Sequence, residues 1–252
     1  MKLLCWNVNG IRSVAAKGLL PWLAKAKPEV LCIQEARARP EQVDPGLVQP
    51  RGYQSWWACA EKKGYSGVVI YSRVEPLDVT EGLGIPRFDC EGRVITARFS
   101  DFTIVNAYFP NGQRDHARVP FKMEFCEAFL EFCEARRACG ENLVLCGDFN
   151  TAHREIDLAR PRENQKTTGF LPLERAWMDQ FVERGYLDIF RDLNPAADHY
   201  TWWSNRSGAR ERNIGWRIDY HFISPSLRER VRKAYHLPHV SGSDHCPIGI
   251  DL

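Results

Sequence analysis

The chain has 252 residues, of which 44% are hydrophobic and 26% are charged, so it is long enough to bury a sizeable core. Its formal net charge of +2 excludes a basic surface over the whole protein, and any phosphate-binding face must come from local placement of charges. No apolar run approaches the length that is needed to span a membrane.

The nine cysteines form no Cys-x-x-Cys pair, and most of them lie within apolar runs. We therefore expect reduced thiols that pack as small hydrophobic groups, as is usual in cytosolic or nuclear proteins. The first strand is predicted to begin at residue 2, which leaves no room for a signal or transit peptide. We expect a protein that is not secreted and that lies in the bacterial cytoplasm or the eukaryotic nucleus.

Apolar runs, alternation and turn residues predict a series of strands and helices along the chain. Strands are predicted over residues 2–8, 30–34, 53–59, 68–71, 93–99, 102–109, 143–146, 217–223 and 247–250. Helices are predicted over residues 18–27, from 121 to near 140, and from 173 to 185, each ended by a proline or a glycine. Residues 36–50 and 110–116 are predicted to be polar surface loops.

Four phenylalanines mark one face of the second predicted helix. Phe121, Phe125, Phe129 and Phe132 recur at helical spacing, which predicts a core-facing stripe and not a stack for a ligand. Buried strands occur in both halves of the chain, with a long helix in each and no linker or repeat between them. The pattern predicts an α/β fold with one domain over residues 1–252, in which packed sheets are flanked by helices.

Polar side chains gather where several predicted strands end. Turn chemistry alone would favour glycine, proline and serine as much as amides and acids. A shared site at these strand ends explains the bias toward ligands and acid/base groups. The residues concerned are Asn7 and Asn9, Glu35, Asp148 and Asn150, Asp219, and the pair Asp244 and His245.

Asp148 and Asn150 follow the apolar strand that begins at Leu143. Side chains alternate along an extended chain, so residues two apart face the same point. One of the two groups can accept a proton from water, and the other can donate to an oxyanion. The alternative, that both are ordinary turn residues, stays open on this stretch alone.

Glu35 is the strongest candidate for a metal ligand, because it follows a buried strand and Asn7 or Asn9 can share its site. Carboxylate and amide oxygens suit Mg²⁺, whereas the soft or histidine-rich ligands that zinc prefers are absent. His245 can be held through one ring nitrogen by Asp219, leaving the other for a substrate. Glu35 can instead be a surface residue at a strand end, and His245 can be a hydrogen-bonded structural residue. The sequence pattern leaves both alternatives open.

No serine or cysteine stands in a recognisable nucleophile turn. Water is therefore the expected nucleophile, and hydrolysis of a phosphate ester is the expected reaction.

Eight short runs of the sequence match the motifs of one enzyme family. The runs are residues 6–10, 34–35, 64–67, 91–94, 108–111, 146–150, 215–219 and 242–247. On these runs, which span nearly the whole chain in the family's order and together are highly specific, the chain resembles the exonuclease III and apurinic/apyrimidinic (AP) endonuclease family. Gly-Asp-Phe-Asn alone also occurs in relatives that cut other phosphodiesters. The resemblance implies a DNase I-like, four-layered α/β sandwich of two packed mixed sheets flanked by helices.

The resemblance also implies a role for each matching residue. Asp148 would orient and deprotonate the attacking water, which Asn150 would help to place. His245, oriented by Asp219, would contact the scissile phosphate, and whether Asp148 or His245 is the base stays open. Glu35 would hold Mg²⁺, for which Mn²⁺ can substitute. The remaining implied positions are Asn7, Tyr108 and Asn111 at the phosphate, and Asn9 and Asp244 near the metal.

Three positions depart from patterns that are common in the family. Asn9 stands where some members have aspartate, and Arg37 stands where lysine is common. Thr167 stands near the place of a DNA-contacting asparagine, so only Asn164 is carried over in that loop.

A segment that is rich in tryptophan and arginine is expected to bind DNA. Basic groups neutralise phosphates, and aromatic rings pack on an extruded sugar or base. The alternative is a solvated loop next to two core tryptophans. Tyr65 is expected on a loop against the duplex, and Arg114, Arg118 and Lys122 form a second basic run. The first segment contains Trp202, Arg206, Arg210, Arg212, Trp216 and Arg217.

The expected function is that of a Mg²⁺-dependent DNA repair nuclease that acts as a monomer on double-stranded DNA, away from membranes. It would cut on the 5′ side of abasic sites, leave a 3′-hydroxyl, degrade DNA from 3′ to 5′ and trim blocked 3′ ends. One alternative is a related enzyme for undamaged DNA or a phospholipid-type phosphodiester, and another is a DNA-binding module without activity. The intact acidic and histidine set argues against the module, and the tryptophan-rich segment argues against a lipid.

Overall fold

The computed structural model describes residues 1–252. Its strands are β1 Lys2–Asn7, β2 Val30–Gln34, β3 Gln54–Ala58, β4 Val68–Ser72, β5 Asp78–Glu81, β6 Val94–Arg98, β7 Thr103–Tyr108, β8 Leu143–Asp148, β9 Leu187–Asp188, β10 Trp202–Trp203, β11 Gly215–Trp216, β12 Asp219–Ile223, β13 Lys233–His236 and β14 Ile248–Asp251. Its α-helices are α1 Ile11–Ala16, α2 Leu19–Ala26, α3 Pro45–Val48, α4 Pro86–Asp89, α5 Val119–Ala138, α6 Pro172–Glu183 and α7 Ile189–Leu193.

The strands form two six-stranded sheets and a short two-stranded ribbon. The order in the first sheet is β13-β14-β1-β2-β4-β3, and in the second it is β5-β6-β7-β8-β12-β9. Each sheet is mixed, because β1 and β2 are parallel in the first, β7 and β8 are parallel in the second, and their other neighbours are antiparallel. Parallel neighbours bring their carboxyl ends to the same edge of a sheet.

The two sheets pack face to face, and helices cover their outer sides. Leu3 and Cys5 of β1 lie in the core between the sheets, whereas Leu4 and Trp6 pack with residues of α1 and α2. β8 alternates in the same way between the inter-sheet core and the helices α5 and α6. The central strands are therefore buried on both faces. The predicted sandwich of two mixed sheets between helical layers is confirmed.

The phenylalanine stripe of α5 lies in the helix-side core of the second sheet, as predicted. Phe125 and Phe129 are fully buried, and Phe121 and Phe132 pack at the edge of the same cluster. Truncating a fully buried phenylalanine to alanine typically costs about 3–5 kcal/mol. The long helix is therefore held to the sheet by side chains that have no part in the site.

Two stretches differ from their predicted structure. Residues 36–50 contain a helical turn at Pro40–Gln42 as well as α3, so they are not simply a loop. α3 begins there because the side chain of Asp44 accepts a hydrogen bond from the backbone of Gly46 at 2.7 Å. Eight further elements were not predicted, because they are too short for a hydrophobic period to show. These elements are α1, β5, α4, β9, α7, β10, β11 and β13.

The strand predicted over residues 217–223 begins only at Asp219. Arg217 is buried, and its guanidinium pairs with Asp157 at 2.8 Å and with Asp188 at 2.6 Å. It therefore anchors the start of the strand and does not belong to a basic surface run.

None of the helices in the structure is both long enough and apolar enough to cross a membrane.

Candidate active site

The alternation of side chains along β1 and β8 brings two polar residues face to face. Asn7 lies two residues beyond Cys5, and Asp148 lies two residues beyond Cys146, so both continue the inter-sheet face. The side-chain nitrogen of Asn7 donates to Oδ2 of Asp148 at 2.8 Å. The apolar core between the sheets thus ends in a polar contact at the edge where the parallel strands finish.

Asp148 and Asn150 are joined by two hydrogen bonds. The backbone N–H of Asn150 donates to Oδ1 of Asp148 at 2.8 Å, and its amide nitrogen lies 3.2 Å from Oδ2. Asn150 reaches this position with a left-handed backbone, with φ of 49°. Asparagine tolerates that conformation better than most residues, because its side chain can bond locally. Every hydrogen bond to the Asp148 carboxylate is therefore donated by a neighbouring amide.

His245 is held by Asp219. Nδ1 of His245 lies 2.9 Å from Oδ2 of Asp219, and Nε2 lies 3.9 Å from Oδ2 of Asp148. Asp219 pairs directly opposite Asp148 in the antiparallel register of β12 and β8. The ring thus has one nitrogen fixed by a carboxylate, while the other faces Asp148. These three residues have ligand atoms within 4.8 Å of one another, which is compact enough to hold a metal ion.

Burial and neighbouring charges shift the pKa values of these groups. Burial raises the pKa of Asp148, the nearby Asp219 raises it further, and the positive charge of His245 opposes the change only in part. Burial by itself lowers the pKa of His245, but Asp219 and then Asp148 outweigh it, so the pKa is raised. The site therefore favours a cationic imidazole beside a carboxyl group that binds protons more readily than an ordinary aspartate.

Three further residues with side-chain oxygens, Glu35, Asn9 and Asp244, line the same cavity as His245. Glu35 accepts a hydrogen bond from the amide nitrogen of Asn7 at 3.0 Å and pairs with Arg37. The amide nitrogen of Asn9 donates to Oδ1 of Asp244 at 2.9 Å. Hydrogen bonds and the charge of His245 offset the effect of burial and lower the pKa of Asp244. The group offers only carboxylate and amide oxygens, which are the ligands that hard divalent cations prefer.

These residues open into a cavity of about 450 Å³. Trp202 and Trp216 form part of its wall, with ring centroids 6.4 Å apart and planes at 83°. The indole N–H of Trp202 donates to Oδ2 of Asp244 at 3.1 Å, so this ring is tied to the acidic group. The neighbouring Trp203 is buried, which makes it the core tryptophan of the pair.

Most of the predicted site residues line this cavity. Asn7 and Asp219 are buried behind the lining and act on it through their hydrogen bonds. The predicted residues in the lining are Asn9, Glu35, Tyr65, Tyr108, Asn111, Asp148, Asn150, Trp202, Trp216, Asp244 and His245.

A buried arginine that received no role from the sequence holds the two tyrosines of the cavity. Arg93 donates to the hydroxyl of Tyr65 at 2.8 Å and to the backbone carbonyl of Tyr108 at 2.9 Å. Its charge is balanced by Glu91 at 2.6 Å. The sequence signal that could have indicated this role is the pair of opposite charges within residues 91–94. A charge pattern alone, however, does not show that a residue is buried.

Five predicted DNA contacts lie outside the cavity lining. Arg114 and Arg206 are exposed. The amide nitrogen of Asn164 donates to the carbonyl of Arg160, which closes a local turn, while Thr167 takes a place in the lining. The last two, Arg210 and Arg212, donate to backbone carbonyls.

Lys122, the last residue of the second basic run, is fully buried. Its ammonium donates to Glu174 at 2.6 Å, to the carbonyl of Asn150 at 2.7 Å and to the hydroxyl of Thr151 at 2.8 Å. Removing one partner of such a buried pair typically costs about 3–5 kcal/mol. Lys122 thus supports the backbone of Asn150 from behind and presents no charge to a ligand.

The sequence around this site matches a known protein family over nearly the full chain. The model for the Endonuclease/Exonuclease/phosphatase family matches residues 4–245. The chain belongs to this family. An exodeoxyribonuclease of Bacillus subtilis (strain 168) is 43% identical to it over 250 residues, which cover 98% of each protein. The predicted resemblance to the exonuclease III and AP endonuclease family is thereby confirmed.

Two solved structures superimpose on this chain over nearly its full length. An AP endonuclease from Archaeoglobus fulgidus superimposes with a TM-score of 0.90 at 30% identity, covering 99% of this chain and 98% of the other. A 3′ phosphatase from Neisseria, bound to a product DNA hairpin, gives a TM-score of 0.92 at 29% identity, covering 100% and 99%.

Proposed function

We propose that this chain is a Mg²⁺-dependent DNA repair nuclease formed by residues 1–252 acting as a monomer on double-stranded DNA. It hydrolyses the phosphodiester on the 5′ side of an abasic site and leaves a 3′-hydroxyl. It also degrades DNA from 3′ to 5′ and trims blocked 3′ ends. The observation that carries the proposal is the aromatic cavity, because its wall at Trp202 is bonded to Asp244, next to His245 and Asp148.

Asp148 accepts the proton of the attacking water in the proposed reaction. Its raised pKa makes it a stronger base than an ordinary aspartate, and a general base works best with a pKa near the operating pH. Asn7 and Asn150 donate to the carboxylate and fix the direction of its oxygens. Water adds to phosphorus while the bond from phosphorus to the 3′ oxygen breaks, and the leaving 3′ oxygen takes a proton from solvent water to become the 3′-hydroxyl.

His245 places a positive charge beside the scissile phosphate. The hydrogen bond from Nδ1 to Asp219 sets the orientation of the ring and supports its cationic form. Nε2 is then the N–H that donates to a phosphate oxygen. Tyr108 and Asn111 also line the cavity and complete the phosphate contacts in this proposal.

The metal ligands in the proposal are Glu35, Asn9 and Asp244. Their oxygens fit Mg²⁺, which prefers hard ligands and keeps several waters, and Mn²⁺ can substitute in such a site. When bound, the ion supplies positive charge that offsets the charge of the phosphate. Arg37 pairs with Glu35 and so balances part of the acidic charge of this group.

Recognition of damage follows from the shape of the cavity. An abasic nucleotide has no base, so it costs less to rotate out of the helix than a paired nucleotide does. Trp202 and Trp216 pack edge to face and together form one wall of a hole in the cavity. In the proposal, this hole admits a bare deoxyribose and excludes a sugar that carries a base. Tyr65, Arg114, Asn164 and Arg206 are the proposed contacts to the DNA backbone around this hole.

The proposal is tested by comparing three duplexes that carry an abasic site, no lesion or a 3′-phosphate, each with Mg²⁺ and with EDTA. We expect rapid incision 5′ to the abasic site and removal of the 3′-phosphate, both only with Mg²⁺. Equal cleavage of the intact and abasic duplexes would favour a nuclease for undamaged DNA. Binding without cleavage of any of the three would favour a DNA-binding module.

Glu35→Gln should raise the Mg²⁺ concentration that gives half the maximal rate by about 10- to 100-fold, the range found for changes around metal ligands. An amide oxygen is a weaker ligand for a hard cation than a carboxylate. The measurement is a Mg²⁺ titration of the incision rate, with the exposed Glu127→Gln on α5 as a control. A titration curve that superimposes on that of the wild type would show that Glu35 is not a ligand.

Trp202→Ala should lower abasic incision roughly tenfold, the equivalent of about 1.4 kcal/mol of lost packing. Cleavage at base-bearing nucleotides should fall less or rise, because the wall of the hole is gone. Trp202→Phe is the matched control, since it keeps a ring but removes the hydrogen bond to Asp244. The measurement is the ratio of incision rates on abasic and base-bearing duplexes. An equal fall on both substrates would rule out the selective hole.

A further inference from the structure

Arg210 makes contacts that are unusual for a residue of an exposed basic loop. Its Nη1 donates to the carbonyl of Ser243 at 2.9 Å, and its Nη2 donates to the carbonyls of Pro238 at 2.9 Å and Val240 at 2.8 Å. The guanidinium lies over the ring of Trp203, 4.7 Å from its centroid. Three backbone acceptors and an aromatic face thus hold one side chain in place.

All three acceptors lie in residues 238–243, which lead directly into Asp244 and His245. The hydroxyl of Ser243 donates to the carbonyl of Asn7 at 2.8 Å and accepts from the backbone N–H of His245 at 3.2 Å. The segment therefore sets the start of the loop that carries the histidine. A shift of Ser243 would move both of these contacts.

Arg210 itself belongs to the segment that carries the aromatic wall. Its guanidinium lies over the ring of Trp203, and the backbone N–H of Trp203 donates to the carbonyl of Asp244 at 3.0 Å. Trp202 precedes it and bonds to the side chain of Asp244. Arg210 thus joins the two segments that supply Trp202 and His245 to the same cavity.

We propose that Arg210 is a positioning residue that sets the place of His245 relative to Trp202, and that it is not a contact to DNA phosphate. This inference rests on the proposed function of the cavity. The planar fork of arginine can donate to several separate acceptors while it stacks on a ring. A lysine at this position keeps the charge but has no planar fork and no stacking face.

Arg210→Lys and Arg210→Met test the proposal, with the exposed Arg206→Met from the same segment as the matched comparison. The measurements are kcat, KM and the salt dependence of KM on an abasic duplex. Both Arg210 variants should lose roughly 10- to 100-fold in kcat, the effect of a misplacement of about 1 Å, with KM and its salt dependence unchanged. Arg206→Met should instead raise KM and flatten the salt dependence.

A double variant separates positioning from a general loss of structure. In a His245→Asn background, Arg210→Lys should cost less than threefold in kcat, because the group that it positions is already absent. If Arg210→Lys lowered kcat by the same factor in the His245→Asn background as in the wild type, the proposal would be overturned. It would also be overturned if Arg210→Lys kept the kcat of the wild type while Arg210→Met raised KM. If the wild type does not incise abasic DNA, the proposed function fails, and the same series applies to whichever of the three duplexes it cleaves.

Discussion

Asp148→Asn reduces the cleavage rate by about 10²- to 10⁴-fold in our expectation, the usual contribution of a general base. The variant should bind DNA as tightly as the wild type or more tightly, because one negative charge that faces the phosphate is removed. Asparagine nearly keeps the shape of the side chain but loses the proton acceptor. The measurement is the single-turnover rate on an abasic duplex, together with the dissociation constant for DNA in EDTA.

The Asp148→Asn variant also needs a check of its fold, because both carboxylate oxygens accept hydrogen bonds from amides of Asn7 and Asn150. The side-chain nitrogen of the new asparagine is itself a donor and would face one of these donor groups, which can destabilise the fold. A melting curve should therefore be measured together with the rate. Asp192→Asn is a suitable control, since Asp192 is exposed and pairs with Arg228 at the surface. A folded Asp148→Asn variant with most of its activity would show that Asp148 is not the base.

Asp219→Asn should cause the second large loss. The comparable change in a serine-protease triad costs about 10⁴ in rate, and we expect less here because His245 need not transfer a proton. The carboxylate of Asp219 raises the pKa of His245, so its removal lowers that pKa. The cationic form is then lost at a lower pH, and the alkaline limb of the pH–rate profile should move toward acid.

The measurement for Asp219→Asn is the pH–rate profile at saturating DNA, compared with that of His245→Asn and of the double variant. The two residues should act as a unit, so the double variant should lose little more than the worse single variant. Strictly additive losses, with an alkaline limb that stays in place, would show that Asp219 does not act through His245.

Much of the fold could be predicted because its signals are local. The apolar runs of β1, β2 and β8 and the phenylalanine stripe of α5 each show a period within a few residues. The position of Asp148 at the end of β8 follows from the same run. Family motifs then brought together residues that are far apart in sequence, as the hydrogen bond between Asp219 and His245 shows.

The surroundings of individual charges could not be predicted in the same way. Lys122, Arg210 and Arg217 look like surface cations in the sequence, yet two of them are buried in ion pairs and one is bound to carbonyls. Their partners are distant in sequence, so no local pattern distinguishes them from Arg206. Likewise, successive residues of a strand face opposite sides, and which tryptophan of the pair at 202–203 faces the cavity depends on the register of β10 and β11.

The division of the site between two sheets has a consequence for how the chain acquires activity as it folds. Asn7 ends a strand of the first sheet and Glu35 directly follows another, whereas Asp148 and Asp219 belong to strands of the second sheet. The bonds that join Asn7 to Asp148 and His245 to Asp219 form only when the sheets have docked. A folding intermediate in which only one sheet has formed would therefore contain half of the acidic site residues and would have no nuclease activity. Recovery of cleavage during refolding would report the docking of the sheets and not the formation of strands or helices, and a partly folded chain would not cut DNA.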